Sequence, residues 1–425
     1  MPPRSNKKLK LMAAESGEDR ISALSDTAIH RVLSFLPVYE AVQTCLLARR
    51  WRQIWKSMPV LCVEVARRSP AEFNKFVNHL LFFRDQTPLD EFEVRTRMAY
   101  NASADSVEPV RYLQMWIRYA LMRKVLVLRV RFGYLDKRPR FFNGPLISQD
   151  LVTLELYGVV LDRCSMDFSR CPLLEDLEIS HCRISAHKMS SQSIRRLWIH
   201  SSEFPNAARL QVLAPNLFAL RLERNDGLTP FLGSMPLLVK AYVALERRSL
   251  SIWHCCRRTD QGLYCNLDLC IDCYDSEKCV VFGGLSNATK IKLKIIGRWS
   301  SENIFKRDLK WCPPFSKLKT LVLDDWVVDV ANCDVRGLIC FLQLTPILEK
   351  LILDIYEEIT FEKKIDKSCS LVEQFIPSEH FKIVQVTCSK DAKNVHKLVE
   401  TLIACGIPTD IINIRRRKVV EMLQW

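Results

Sequence analysis

One pattern constrains this chain more than any other: apolar-x-x-apolar-x-apolar returns at a nearly fixed interval. It is written by Leu151, Leu154 and Leu156, by Leu174, Leu177 and Ile179, by Ile194, Leu197 and Ile199, by Leu217, Leu220 and Leu222, and by Leu238, Ala241 and Val243. From Leu154 to Leu177, Leu197, Leu220 and Ala241 the steps are 23, 20, 23 and 21 residues. The second and third apolar positions alternate as in a strand, so they share a face and the residue between them takes the other. A unit this short cannot bury its apolar face alone and finds a core by stacking on its neighbours. Later copies at Ala288, Ile291 and Leu293, at Leu318, Leu321 and Leu323, and at Leu348, Leu351 and Leu353 follow steps of 50, 30 and 30 residues, so they carry longer connections. Met122, Val125 and Val127 read as the first copy, after a helix holding Tyr112, Met115, Trp116 and Tyr119.

A chain of 425 residues exceeds one ordinary core, in keeping with an array plus a further domain. Its 48% hydrophobic and 26% charged residues are those of a folding chain. No uninterrupted apolar run of about 18 residues occurs. The stretch from Met1 to Leu11, with Arg4, Lys7, Lys8 and Lys10, lacks the apolar centre of an export signal. The expectation is a protein of the nucleus and/or cytoplasm with no membrane partner. The 17 cysteines, odd in number and scattered, fit reduced thiols in those compartments. A formal charge of +14 raises nucleic acid as a partner. The basic residues are interleaved with acidic ones and form no strip at repeat spacing, which speaks against it. No phosphate-binding glycine motif, nucleophile elbow or zinc-protease signature occurs, so no catalytic residue and no cofactor is assigned.

Upstream of the array, residues 19–60 read as three short helices. Ser25 and Asp26 are capping residues, after which Ile29, Val32, Leu33 and Leu36 share one helix face until Pro37 ends it. Ala41, Val42, Cys45 and Leu46 describe a second helix, and Trp51, Ile54, Trp55 and Met58 a third, whose other face carries Arg49, Arg50, Arg52 and Lys56. So few residues bury too little surface to be stable alone, so the module should cap the rest of the chain or take a partner.

These residues closely resemble the F-box, the plant form in particular: Asp19-Arg20-Ile21-Ser22, Leu33-Ser34-Phe35-Leu36-Pro37, Glu40-Ala41-Val42, and Arg49-Arg50-Trp51-Arg52 with Trp55. The resemblance implies a Skp-type adaptor as partner and, through it, a cullin. It puts Leu24, Leu33, Leu36, Pro37 and Leu47 in or beside the adaptor interface, with Trp51 and Trp55 holding the helices together. Where the family has Leu-Pro this chain has Leu24-Ser25. By analogy with other proline substitutions, that removes about 1 kcal/mol of contact and rigidity from the first docking point.

The unit Leu174-x-x-Leu177-x-Ile179-x-x-Cys182-x-Ile184 fits the leucine-rich-repeat template with cysteine at its Asn/Cys position, and Asn225 falls at the same place in a later copy. Such an array is a solenoid with parallel strands on its concave face, and that face should present Glu155, Glu178, Trp198, Arg221, Tyr242, Lys292, Val322 and Ile352. The first six are candidate substrate-facing residues. Trp198 and Tyr242 are the candidate aromatic anchors for a protein partner. Cys171-Pro172-Leu173-Leu174-Glu175-Asp176-Leu177 and Thr345-Pro346-Ile347-Leu348-Glu349-Lys350-Leu351 resemble the repeats of plant F-box/leucine-rich-repeat proteins. Phe381 to Arg415 resembles the FBD-type ending of that family, with a last strand over 381–386 and a capping helix over 395–405.

His254, Cys255, Cys256, Cys265, Cys270, Cys273 and Cys279 crowd one insertion, and Cys270-x-x-Cys273 has metal-ligand spacing. Zinc needs a second well-placed pair, so a loop with reduced thiols is expected and no metal is assigned. The expected fold is α+β and multidomain: a flexible basic tail (1–18), a small three-helix F-box (19–60), an α/β leucine-rich-repeat solenoid (61–375, with the cysteine-containing insertion at about 247–283) and an FBD-like cap and tail (376–425). The expected role is the noncatalytic substrate-recognition subunit of a Skp-cullin-F-box ubiquitin ligase. It would bind an unknown protein substrate through the repeats, for ubiquitination and proteasomal degradation. The alternative is a leucine-rich-repeat scaffold that assembles no ligase.

Overall fold

The computed structural model describes residues 24–47, 49–65, 70–96, 112–133, 138–162, 164–205, 209–245, 279–295, 309–324, 334–355, 376–388 and 395–416. The chain opens with helices α1 (Asp26–Leu33), α2 (Val38–Gln43) and α3 (Trp51–Ile54), the last two each continued by a 3₁₀ turn, Thr44–Leu46 and Trp55–Ser57. Ser25 caps α1, its Oγ accepting the Ala28 N–H at 3.3 Å. Ser25→Ala is expected to cost about 1 kcal/mol, read as a lower urea midpoint at unchanged slope. Ile29, Leu33, Ala41, Trp51, Ile54 and Met58 fill the space between the helices.

Among the described residues a 13-stranded parallel sheet follows, its strands in chain order. They are β1 (Val60–Val65), β2 (Glu91–Thr96), β3 (Val127–Arg131), β4 (Thr153–Tyr157) and β5 (Asp176–Ser180). Next come β6 (Arg196–His200), β7 (Ala219–Glu223), β8 (Lys240–Leu245) and β9 (Lys290–Ile295). β10 (Thr320–Asp324), β11 (Lys350–Ile355), β12 (Ile383–Cys388) and β13 (Ile412–Arg416) complete it. The register aligns the repeated apolar positions: Leu154, Leu177, Leu197, Leu220, Ala241, Ile291, Leu321 and Leu351 form one row, all buried. The 50-residue step leaves the ladder intact, since Ala241 pairs directly with Ile291.

Three expectations need correction. The first copy is not Met122, Val125 and Val127. Met122 is exposed at the end of helix Leu113–Met122, and the buried triplet is Val125, Leu128 and Val130. The offset is three residues, and any odd offset, like a slip of one, exchanges the two faces of a strand. Two earlier units exist as well, Met58-Leu61-Val63 and Leu89-Phe92-Val94, all six buried. Met58 closes the third helix and opens the first strand unit, so helices and sheet share one continuous core. At the other end, strand Ile383–Cys388 and helix Val395–Ala404 lie close to the expected positions, but β13 then adds a further parallel strand.

Between residues 153 and 232 each unit turns through three strand rows. A four-stranded sheet joins Val160–Leu161, Arg183–Ile184, Glu203–Phe204 and Asp226–Gly227, and a three-stranded one joins Lys188–Ser190, Gln211–Leu213 and Phe231–Leu232. The corner after each long strand is a left-handed residue: Gly158, His181, Ser201 and Arg224, with φ of 72°, 52°, 49° and 51°. The first three corner amides each donate to the end of the next strand, at Ser180 O (3.0 Å), His200 O (3.1 Å) and Glu223 O (2.9 Å). The Asn/Cys position does what the template demands of it. Asn225 Nδ2 donates to Ile199 O at 2.9 Å while its Oδ1 accepts the Ser202 N–H at 3.0 Å. Backbone groups that would otherwise be orphaned at the corner are thereby satisfied. Later units use helices instead, and Phe282, Phe315 and Phe341 pack there as a buried aromatic trio, with ring centroids 4.7 to 6.2 Å apart. Among the described residues no helix is long and apolar enough to cross a membrane.

Candidate functional site

Among the described residues, the helical module leaves several large apolar side chains exposed. Phe35, Leu46 and Leu47 are 74%, 85% and 75% exposed, and Leu24 and Val32 are exposed beside them in sequence and helix position. Helix α1 ends at Leu33, so Phe35 escapes the inner face, and Arg31 lies over its ring at 5.4 Å. The 3₁₀ turn Thr44–Leu46 tightens the winding after α2 and swings Leu46 and Leu47 outward. Arg50 pairs with Asp26, and His30 Nε2 lies 3.1 Å from Ile54 O, to which it can donate; both contacts lock α1 onto the third helix.

Of the residues expected at the adaptor interface, Leu24 and Leu47 lie on this surface, and Leu36 and Pro37 are half-buried beside it. Leu33 does not. It is 1% exposed and packs between the helices, because it follows Ile29 by one helical turn on the inner face. Conversely, helical periodicity assigned Val32 and Leu46 to the interior and overlooked Phe35. The signal for Phe35 was its place after the last helical turn. Trp51 is buried and Trp55 packs partly against the core, as expected of residues that hold the helices together.

The second candidate surface is the sheet face opposite the core. The register brings Glu155, Glu178, Trp198, Arg221, Tyr242, Lys292, Val322 and Ile352 into a single cross-strand row. Sharing a row does not make them equally accessible. Trp198 is 41% exposed, but Tyr242, Lys292, Val322 and Ile352 are buried. The expectation that Tyr242 and Lys292 face a substrate is corrected by their surroundings. The Tyr242 ring lies between the Arg221 guanidinium and the Lys292 ammonium, each 5.3 Å from its centroid, and Lys292 Nζ is 2.7 Å from Asp324. Both side chains are committed to the row itself.

Upstream, the same face is laced by ion pairs. Arg129 and Arg131 bind Glu155 at 2.9 and 2.6 Å, and Arg95 binds Glu64 at 2.7 Å. Arg221 binds Glu223 of its own strand at 2.6 Å. Glu178 instead meets His200 Nε2 at 3.2 Å. That hydrogen bond holds the Glu178 carboxyl below the usual carboxylate range, and the charges of His200, Arg131 and Arg221 act in the same direction. Between Tyr157 and His200 the row carries only the small Ser180, which leaves a recess of about 400 Å³ lined by these residues with Arg131, Glu155 and Glu178.

The thiols follow burial. Cys171 and Cys182 are pushed up to about 11 by burial, and Cys62 to about 12 by burial and then by Glu93. At pH 8 these groups stay protonated and unreactive. Brief iodoacetamide treatment of the native chain is expected to modify the exposed Cys164 and spare Cys171 and Cys182, as read by peptide mass spectrometry. Of the group considered for zinc, Cys279 is buried and accepts the Gly283 N–H at 2.9 Å, while the others lie outside the described residues.

Residues 21–62 match the family described as F-box domain. The chain is 26% identical over 247 residues to an F-box/LRR-repeat protein of Arabidopsis thaliana, covering 52% of this chain and 50% of the relative. It is 27% identical over 259 residues to an FBD-associated F-box protein of the same plant, 53% and 61% of the two chains. It is 28% identical over 242 residues to the plant's F-box/LRR-repeat protein 25, 50% and 89% of the two. The first match spans about half the length of both chains. The chain thus carries an F-box and has plant F-box/LRR and F-box/FBD proteins as its relatives.

Proposed function

We propose that this chain, with its F-box and its plant F-box/leucine-rich-repeat relatives, is a noncatalytic substrate-recruiting subunit of a Skp-cullin-F-box ubiquitin ligase. The observation that carries this reading is the exposure of Phe35, Leu46 and Leu47 on the stretch that matches the F-box. Large apolar side chains left in solvent on so small a module mark a surface in want of a partner. A Skp-type adaptor is the partner the F-box calls for, and a cullin joins through it. The repeats form a solenoid whose open sheet face holds a protein substrate. The thirteen parallel strands in chain order support that architecture. Ubiquitin transfer belongs to other subunits, and this chain acts by raising the local concentration of the target, marking it for degradation. It works in the nucleus and/or cytoplasm.

A scaffold without ligase assembly is the second reading, favoured by the core that the helices share with β1. A module can cap a sheet and still dock a partner, so adaptor binding decides. Co-expression with a plant Skp-type adaptor is expected to yield a stoichiometric complex through size exclusion. A well-folded chain that elutes without the adaptor would leave the scaffold.

A further inference from the structure

The recess at Ser180 differs from the rest of the sheet face in how its charges are met. Glu155 is held by two guanidiniums, from Arg129 and Arg131. Glu178, its cross-strand neighbour, is met by the His200 imidazole, which is a full cation only when protonated. Two carboxylates therefore border the hollow together with the Arg131 guanidinium, which is paired with Glu155; among the described residues Glu178 is bonded to His200, while Arg131 and Arg221 act on it through their charge alone. The walls are aromatic: Tyr157 stands on one side, its ring 4.7 Å from that of His181, and His200 on the other. A carboxylate beside a tyrosine face suits an ammonium or guanidinium head, which gains from both. Trp198 is the cross-strand partner of Glu178 in the parallel pair and the diagonal neighbour of Ser180, about 8 Å away by strand spacing and rise, and it is exposed. An extended peptide advances about 6.7 Å over two residues, which brings its side chains within reach of both ends of that diagonal.

We infer that the Ser180 recess receives a lysine or arginine side chain of the substrate, with an apolar residue two positions away resting on Trp198. The inference deepens the proposed substrate-binding role of this face and rests on it. It names the occupant as a segment of basic-x-apolar form, and the charge of Glu178 as the group that selects it.

The test uses the full chain and two fluorescein-labelled peptides, Gly-Lys-Ser-Leu-Gly and Gly-Glu-Ser-Leu-Gly, compared by fluorescence anisotropy. The lysine peptide should bind at least about tenfold more tightly than the glutamate peptide, the equivalent of one full charge contact. Glu178→Gln, which keeps the shape of the side chain, should remove most of that preference, and Trp198→Ala should weaken the lysine peptide. Glu349→Gln, an acid paired with Lys319 away from the recess, should leave the preference intact. Equal binding of the two peptides, no binding of the lysine peptide, or a preference that survives Glu178→Gln would each overturn the inference. Adaptor co-purification from the same preparation reports separately on the ligase reading. Adaptor bound without lysine preference removes this inference alone, and lysine preference without adaptor removes the ligase.

Discussion

A chain carrying Phe35→Asp and Leu46→Asp is expected to fold as the wild type does and to lose its Skp-type adaptor. Both side chains stand in solvent in the free chain, so a carboxylate at either position costs little until a partner covers it. In the complex each carboxylate would have to be stripped of water against an apolar surface, a penalty of several kcal/mol without a compensating charge. The pair should weaken adaptor binding by at least about 100-fold, some 2.7 kcal/mol, at an unchanged unfolding midpoint. Leu173→Asp, at an exposed leucine in a repeat unit, should bind the adaptor normally. Leu33→Asp is the wrong test although the F-box resemblance points to it. That carboxylate would be buried among Ile29, Trp51 and Ile54, and loss of binding would report only an unfolded module.

Gly158→Ala is expected to be among the most damaging single changes in the chain. At φ of 72° any side chain is strained, by about 1–2 kcal/mol. Gly158 has a second constraint: an added Cβ would stand 2.0 Å from the carbonyl oxygen of Phe132 and 3.0 Å from its carbon. Phe132 cannot yield easily, since its side chain is buried and its N–H donates to Tyr157 O. The expected loss is about 3 kcal/mol or more, read as a fall in the urea midpoint. Ser201→Gly, at a corner where a Cβ is already accommodated, should change stability little by comparison. A smaller loss at Gly158 would mean that the first corner can relax where the backbone contact says it cannot.

The repeat rhythm made the row of core leucines legible, and with it the cross-strand register from Leu154 to Leu351. That part is local arithmetic, and the residue between two inward positions must share its row with its neighbours. Accessibility is another matter, because it depends on what lies alongside. Nothing in the spacing says that Tyr242 would be enclosed by Arg221 and Lys292, or that Ser180 would open a hollow between two aromatic walls. The two earliest units, at Met58 and Leu89, obey the same spacing. They are hidden because Met58 also fits the helical period of the module before it, and one residue cannot be scored for two elements by periodicity alone. Leu33 and Phe35 were confused for a related reason. A family motif names residues that matter without separating those that build a surface from those that form it.

That double use of Met58 reaches beyond the fold. A chain cut or spliced between Val60 and Leu61 would leave one buried anchor on each fragment and an open apolar seam on both. The helices and the first strand are therefore one unit of packing, and a seam that spares the shared core lies further along the array. The same joint works as a fixed bracket. On the proposed function, the core that the helices share with β1 would make the number of units between helices and target set how far a target stands from the adaptor, so a gain or loss of one unit would re-aim the lysines offered for modification.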